Sequence, residues 1–450
     1  MTTPSTPRGS LFTMMALEFF IWGAWLPLIF GYLPSLGFTP TQQSLILNAF
    51  PVASIIGMFF SNQWADRKFA AEKFLAVSHL IGGLAILGCG FTKDFWPFFL
   101  LMLVHCLLYV PTISITNAIA FAHMKDPGKE FGLVRMGGTI GWILAAWPFV
   151  FIFVDWAKVD AANPSGFVAW LGAALANPLS GEVAKAATKW TFIVAGIASL
   201  ALAAFSLTLP HTPPKKAEAG VKEKLAWLEA MKLLKHPFVL VLWLVTLVDS
   251  FVHNCYFSWT GVFLGTPAKD GGVGIAPNWI APVMSIGQVA EILTMFVLGA
   301  TLKALGWRMT MIVGILGHAA RFAVYAFVPD SAGTIILIQV LHGVCYAFFF
   351  ATVYIFVDAY FPKDIRSSAQ GLFNLQILGV GALLAFSICP WLMQEVYAVK
   401  DAAGKITATD FKGLFLVPFG AATLAAIALA LFFHPPKTAE AGGSAAAAPH

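Results

Sequence analysis

Twelve apolar stretches of about 20 residues or more recur between Leu11 and Phe433, and they leave the chain few ways to fold. A helix of about 20 apolar residues crosses a hydrocarbon core of roughly 30 Å. Inside that core every backbone N–H and C=O needs an internal partner, which restricts spanning structures to helices and closed barrels. A barrel shows alternating segments of about ten residues, whereas these runs are continuous and rich in Leu, Ala and Phe. The predicted spans, numbered 1 to 12, are 11–36, 44–65, 72–91, 96–122, 131–154, 189–210, 237–264, 277–301, 307–328, 333–360, 367–397 and 411–433. With 59% hydrophobic and 11% charged residues and a mean hydropathy of +0.79, the composition excludes an ordinary soluble domain. The expected fold class is an all-α polytopic membrane protein.

The N-terminal MTTPSTPRGS is polar and the first apolar run is long, so span 1 reads as a retained anchor with no cleavable signal peptide. An even number of spans puts both termini on one side. Assigning Arg8, the loops after spans 2, 4, 6, 8 and 10, and the C-terminal tail to the cytoplasm places most of the 27 Lys and Arg residues there. Both termini are therefore expected in the cytoplasm. The net charge of +5 follows from these loops and does not indicate nucleic-acid binding. Cys89, Cys106, Cys255, Cys345 and Cys389 all fall inside spans without metal-ligand spacing and read as buried free thiols. Neither a metal nor a cofactor is expected.

One polar break, the lysine-rich stretch from His211 to Pro237, divides the chain into halves. The expected organisation is a six-span bundle over 1–210, a cytoplasmic linker over 211–236, a second six-span bundle over 237–434 and a disordered tail over 435–450. Within the linker, Leu225, Leu228, Met231, Leu233 and Leu234 suit a short amphipathic helix, at the membrane surface or in solvent. The halves echo each other. PVASI at Pro51–Ile55 returns as PVMSI at Pro282–Ile286, 231 residues on, and Lys129, Glu130 and Gly137 return as Lys363, Asp364 and Gly371, 234 residues on. Two agreeing offsets indicate an internal duplication, and six plus six helices in parallel repeat is the architecture of major facilitator transporters. Between spans 5 and 6, the loop Asp155–Lys189 includes FVAWLGAALANPL, which suits an interfacial helix.

Polar residues within the spans are the functional candidates, because a charge at membrane depth costs about 2.5–3.5 kcal/mol even on the mildest scale. Glu291 stands in PVMSIGQVAEILTMFVLGA, three residues after Gln288 and on the same helix face. Arg135, Thr139 and Trp142 form an i, i+4, i+7 stripe on span 5 that suits a polar ligand with a flat ring; Arg135 also stands where an arginine snorkels to lipid phosphate. Span 7 carries Asp249, His253, Asn254 and Phe257, and span 1 carries Glu18, Trp22 and Trp25. A membrane carboxylate in a low-dielectric cavity suits proton coupling, and a structural ion pair is the alternative for Glu291 and Glu18. His79, His105, His253, His318 and His342 lie in spans as packing residues or proton relays, and Arg321 reads as a structural pair. No paired metal-binding histidines and no nucleophile elbow occur, so the chain is not expected to be an enzyme.

Several segments together resemble the nucleoside:proton symporters of the major facilitator superfamily. They are WGAWL in span 1, LLYVPTISITNAIAF in span 4, RMGGTIGW in span 5, LTLPH ending span 6, MSIGQVAEIL in span 8 and IRSSAQGLF in span 11. The resemblance implies inward nucleoside transport driven by a proton gradient across a bacterial inner membrane, by a monomer working through alternating access. By motif position it implies substrate contacts at Arg135, Thr139, Trp142, Asn254, Phe257, Gln288 and Glu291. Trp142, Tyr346 and Phe257 are expected to sandwich the base, and Gln288, Asn254 and Thr139 to bond ribose hydroxyls and base edges. Asp66 and Arg67 in WADRKF, with Asn62 replacing the expected glycine, and Asp358 and Arg366 after span 10 resemble cytoplasmic gating loops.

One departure concerns span 10. The family has an acid after an aromatic there, but in this chain Tyr346 precedes Ala347, and His342 replaces a tyrosine one turn earlier. Either Glu291 alone handles the proton, or Glu18 or Asp249 substitutes, or the solute is not a standard nucleoside. The alternative solute is another hydroxylated molecule, a sugar or a peptidoglycan fragment.

Overall fold

The computed structural model describes residues 7–57, 69–214, 231–361 and 363–435, without the side chains of 127–129 and 363–368. Among the described residues ten continuous helices are long and apolar enough to cross a membrane. Spans 1, 3, 4, 5, 6 and 7 are Arg8–Ser35, Ala71–Cys89, Phe95–His123, Glu130–Ile152, Gly181–Ser206 and Pro237–Gly265. Spans 8 and 9 run together as Pro277–Phe327, but Gly306, at φ +70° and ψ 174°, breaks the helix between them where the sequence placed a boundary. Spans 10, 11 and 12 are Ala332–Tyr360, Ala369–Val396 and Phe411–Phe432.

Span 2 starts earlier than predicted, at Pro40. Thr39 and Gln42 form a capping box there that satisfies two free amides, and Pro40 occupies the first turn, where no amide is needed. The span is interrupted at Asn48 and resumes as Ala49–Ile56. Its predicted continuation, with Asp66 and Arg67, lies outside the described residues, as do linker residues 215–230 and the tail from 436. Arg366 lies in the helix Lys363–Asn374, but its side chain is not among those described.

In a bilayer, helices associate through close packing, because lipid is as apolar as leucine and supplies no hydrophobic drive between them. Gly137 and Gly141, four apart on span 5, bring that helix directly onto the span 1 backbone. A Cβ on Gly141 would sit 2.7 Å from the Ala16 carbonyl carbon. Span 10 meets span 8 in the same way, since a Cβ on Gly343 would sit 2.6 Å from Glu291 Cα. Leu80, Leu84, Leu293 and Phe296 point outward. All five cysteines are buried and free.

Spans of the two halves meet on the face that holds the loop between spans 1 and 2. The Gln43 and Gln394 side chains exchange amide hydrogen bonds of 3.1 and 2.7 Å. Asn48 donates to Ser387 Oγ at 2.8 Å, and Ser44 donates to the Ser387 carbonyl at 3.2 Å.

The loop between spans 5 and 6 contains the expected helix, Phe167–Ala176, with Phe167 and Val168 exposed. It also contains a helix at Trp156–Ala161 that the sequence reading missed. Also missed was a hairpin between spans 11 and 12, pairing β1 (Ala398–Lys400) with β2 (Ile406–Thr409). Strands of three and four residues are too short to show alternation.

Candidate functional site

The first residues to come together are on spans 1, 5, 7 and 8. Gly23 and Pro27 of span 1, Trp142 and Ala146 of span 5, Tyr256 and Phe257 of span 7, and Gln288 of span 8 surround a cavity of about 10 Å³ between the halves, room for about one water. Small-molecule sites usually measure about 300–1,000 Å³, so the space is closed to a solute in this conformation. Its walls are mostly apolar, with a few polar groups. Gln288 is the main one: its carbonyl oxygen is buried without a hydrogen-bond partner. Such an atom typically costs about 1–3 kcal/mol, and a ligand donor would relieve that cost.

The aromatic groups form a corner. Trp142 and Phe257 approach to 6.2 Å between centroids at 66°, and Trp22 meets Trp142 edge-on at 5.2 Å while stacking on Phe50 at 4.6 Å. A flat base between two parallel rings needs about 7 Å, twice the van der Waals separation of roughly 3.5 Å. The expected sandwich of Trp142, Phe257 and Tyr346 is therefore not formed in this conformation. Tyr346 lies further along span 10, 6.3 Å from the His253 ring and 5.9 Å from Phe350. It stands in the π-helical turn Tyr346–Ala351, a wider winding that often marks functional positions and that no sequence pattern announced.

Span 5 packs against span 8 across the two halves, and the two carry Arg135 and Glu291. The Arg135 guanidinium also lies 4.1 Å above the Phe19 ring, which holds it by a cation–π contact. It therefore faces the interior as a candidate site residue rather than snorkelling outward. Thr139 shares its stripe and is half-buried. Asn254 is less free than the sequence suggests, because its amide donates to the Ser250 carbonyl one turn back at 2.8 Å, leaving its oxygen for a ligand. His342 is buried behind Phe257, edge to face at 5.4 Å, and stacks on Tyr256 at 4.3 Å.

Glu18 is elsewhere, in a polar cluster inside the first half. Its carboxylate bonds His79 Nε2 at 2.9 Å and accepts from Thr112 at 2.7 Å, and the other nitrogen of His79 bonds Ser199 at 3.0 Å. All four groups are buried. Asp249 is likewise inside the second half, bonded to His318 Nδ1 at 2.9 Å. Arg321, read from sequence as a structural pair, is fully buried over the Tyr256 ring with its Nη1 3.1 Å from His342 Nδ1. Asp358 lies at the end of span 10, in the helix Thr352–Tyr360. Among the described residues no group of His, Cys, Asp and Glu has the arrangement of a metal site.

A polytopic helical bundle with a small, mostly apolar space between its halves and opposed charges beside it is a carrier of major facilitator fold. The comparisons agree. The profile of the nucleoside H+ symporter family matches residues 8–181 and 165–438, and the chain belongs to that family; it is a membrane transporter and not an enzyme. YegT of Escherichia coli (strain K12) is 29% identical over 422 residues, covering 92% of this chain and 91% of that protein. The nucleoside permease NupG of the same organism is 24% identical over 430 residues, covering 93% of each chain. A crystal structure of NupG (D323A mutant) superposes with a TM-score of 0.77 at 22% identity, over 95% of this chain and all of that one. At that identity the structural match speaks for the fold alone.

Proposed function

We infer that this protein imports nucleosides together with protons, by rocking of two six-span halves (1–210 and 237–434) about the space lined by Trp142, Phe257 and Gln288. The observation that carries the reading is the combination of a two-ring corner with an unpartnered amide oxygen, in a chain of this family. Trp142, Phe257 and, after rearrangement, Tyr346 receive the base; Gln288, Asn254 and Thr139 bond its edge and the ribose hydroxyls. Arg135 and Glu291 face each other from opposite halves, so protonation of Glu291 weakens their attraction and couples proton binding to movement of the halves. The amide exchange between Gln43 and Gln394 is consistent with a state closed on one face, as alternating access requires. The protein acts as a monomer in a bacterial inner membrane with both termini in the cytoplasm.

Uptake of labelled uridine into proteoliposomes, with and without an inward proton gradient, tests this. Accumulation driven by the gradient and abolished by a protonophore is expected. Absence of uptake from verified proteoliposomes would overturn the nucleoside reading. A second reading, transport of another hydroxylated solute such as a sugar or peptidoglycan fragment, is favoured by Ala347, a fully buried apolar residue where a family acid is expected. Competition of uridine uptake by a panel of sugars separates the two.

A further inference from the structure

Two buried carboxylate–histidine pairs occupy equivalent places in the two halves. Glu18 on span 1 meets His79 on span 3, and Asp249 on span 7 meets His318 on span 9, each pair at 2.9 Å. Spans 7 and 9 are the duplicates of spans 1 and 3, and Asp249 follows Glu18 by 231 residues, the same offset that relates PVASI to PVMSI. All four side chains are buried to 1% exposure or less. The two pairs differ in the acid, in the imidazole nitrogen that meets it (Nε2 of His79, Nδ1 of His318) and in the hydrogen bonding around them.

The first pair is satisfied: one Glu18 oxygen has His79, the other has Thr112, and the second His79 nitrogen has Ser199. In the other pair, Asp249 Oδ2 has no hydrogen-bond partner among the described residues, and His318 Nε2 has at most the weak one a thiol offers. The Cys345 thiol of span 10 is the next polar group beside that imidazole. Burying such atoms unpaired is costly, and the equivalent pair shows that this fold can satisfy them. The second pair is thus less fully satisfied than its equivalent.

Its surroundings suggest what. The His253 ring, with Nδ1 also unpartnered, lies 5.6 Å from the His318 ring and stacks on His342 at 4.9 Å. Tyr346 is 6.3 Å from His253, and the Glu291 backbone meets span 10 at Gly343, one turn before Tyr346. The Tyr346, His253 and His318 rings therefore lie in succession between span 8 and Asp249, at centroid separations of 6.3 and 5.6 Å. The fixed charge in the cluster is Arg321, set against His342 and Tyr256, with Tyr325 one turn further along span 9. On the span 11 side the titratable neighbour is Cys389, against Cys255 of span 7.

We propose that Asp249 and His318 hold a transported proton behind the substrate space, exchanging it with Glu291 through His253, while Glu18 and His79 are structural. With the proton bound, Asp249 is a carboxylate beside an imidazolium. When it leaves, His318 is neutral and the cluster, counted with Arg321, falls from one positive charge to none. The proposal rests on the symport reading above and locates its proton.

The test uses the full chain, first in detergent without any solute. Proton release to an indicator dye, recorded while the protein is titrated from mildly acid to mildly alkaline pH, should fall by one proton per molecule in Asp249→Asn and in His318→Gln. In proteoliposomes both variants should still exchange labelled uridine but lose gradient-driven accumulation, while Glu18→Gln keeps accumulation in whatever protein folds. Release equal to the wild type in both Asp249→Asn and His318→Gln overturns the proposal whatever the solute is. Intact gradient-driven accumulation in Asp249→Asn also overturns it. A one-proton difference in a wild-type protein that does not exchange uridine supports the proton site and overturns the nucleoside reading, so the two fail separately.

Discussion

Gly343→Ala puts a methyl group into the close crossing of spans 8 and 10 beside the candidate site. The new Cβ would sit 2.5 Å from the Ala290 carbonyl carbon and 2.6 Å from Glu291 Cα. Carbon atoms pack at about 3.5–4.0 Å, so spans 8 and 10 must separate by roughly 1 Å. The obstacle is helix backbone, which cannot turn aside as a side chain can. Overpacking of this kind costs about 1–3 kcal/mol, and a backbone clash belongs at the upper end, equivalent to about a 150-fold loss in the folded-to-unfolded ratio. Gly420→Ala is the matched control, because it lies in span 12 with no atom within 4 Å of its added Cβ. There the helix propensity of alanine stabilises by about 0.5–1 kcal/mol. Thermal unfolding of the two variants in the same detergent should move in opposite directions, and uridine uptake should fall only in Gly343→Ala, which displaces Glu291. Equal midpoints would mean that spans 8 and 10 do not meet at Gly343 and would refute the placement of Glu291 as well.

Other substitutions separate binding from stability. Gln288→Met replaces a buried, unpartnered carbonyl with a thioether of similar length, so thermal stability should hold or rise by about 1 kcal/mol while uridine affinity, read by calorimetry, falls. Trp142→Ala should weaken uridine binding by about 1–3 kcal/mol, the usual worth of a base stacked on an aromatic ring; Trp142→Phe should recover part of that loss. Arg135→Lys keeps the charge but loses the planar group above Phe19, and uptake should fall despite the conserved charge, whereas wild-type uptake would show that charge alone suffices. Glu18→Leu should lower stability by about 3–5 kcal/mol, because it leaves His79 and Thr112 buried without their partner.

The membrane fold was legible because its signal is additive. Twenty apolar residues in a row mark a span whatever packs against them, and even the break at Gly306 fell between two predicted spans. What one helix face shows alone was also legible: Arg135 and Trp142 on span 5, Gln288 and Glu291 on span 8. Relations between helices were not. The sequence offered Glu18 and Asp249 as equivalent carboxylates, and both do pair with a histidine two spans later. The difference lies in whether a third helix presents a hydroxyl, as span 4 presents Thr112 to Glu18, and no spacing encodes that.

The π-helical turn at Tyr346 was hidden for a similar reason. YAFFFA reads as an ordinary apolar stretch, and no residue in it marks the wider turn. Its position matters for the missing acid. Ala347 is wholly buried, so a carboxylate there would need a buried partner. The turn C-terminal to His342 instead carries Tyr346 to the His253 ring, next to Asp249 and His318. A chain with this geometry has a buried carboxyl group in its second half without an acid at 347, because span 7 provides Asp249.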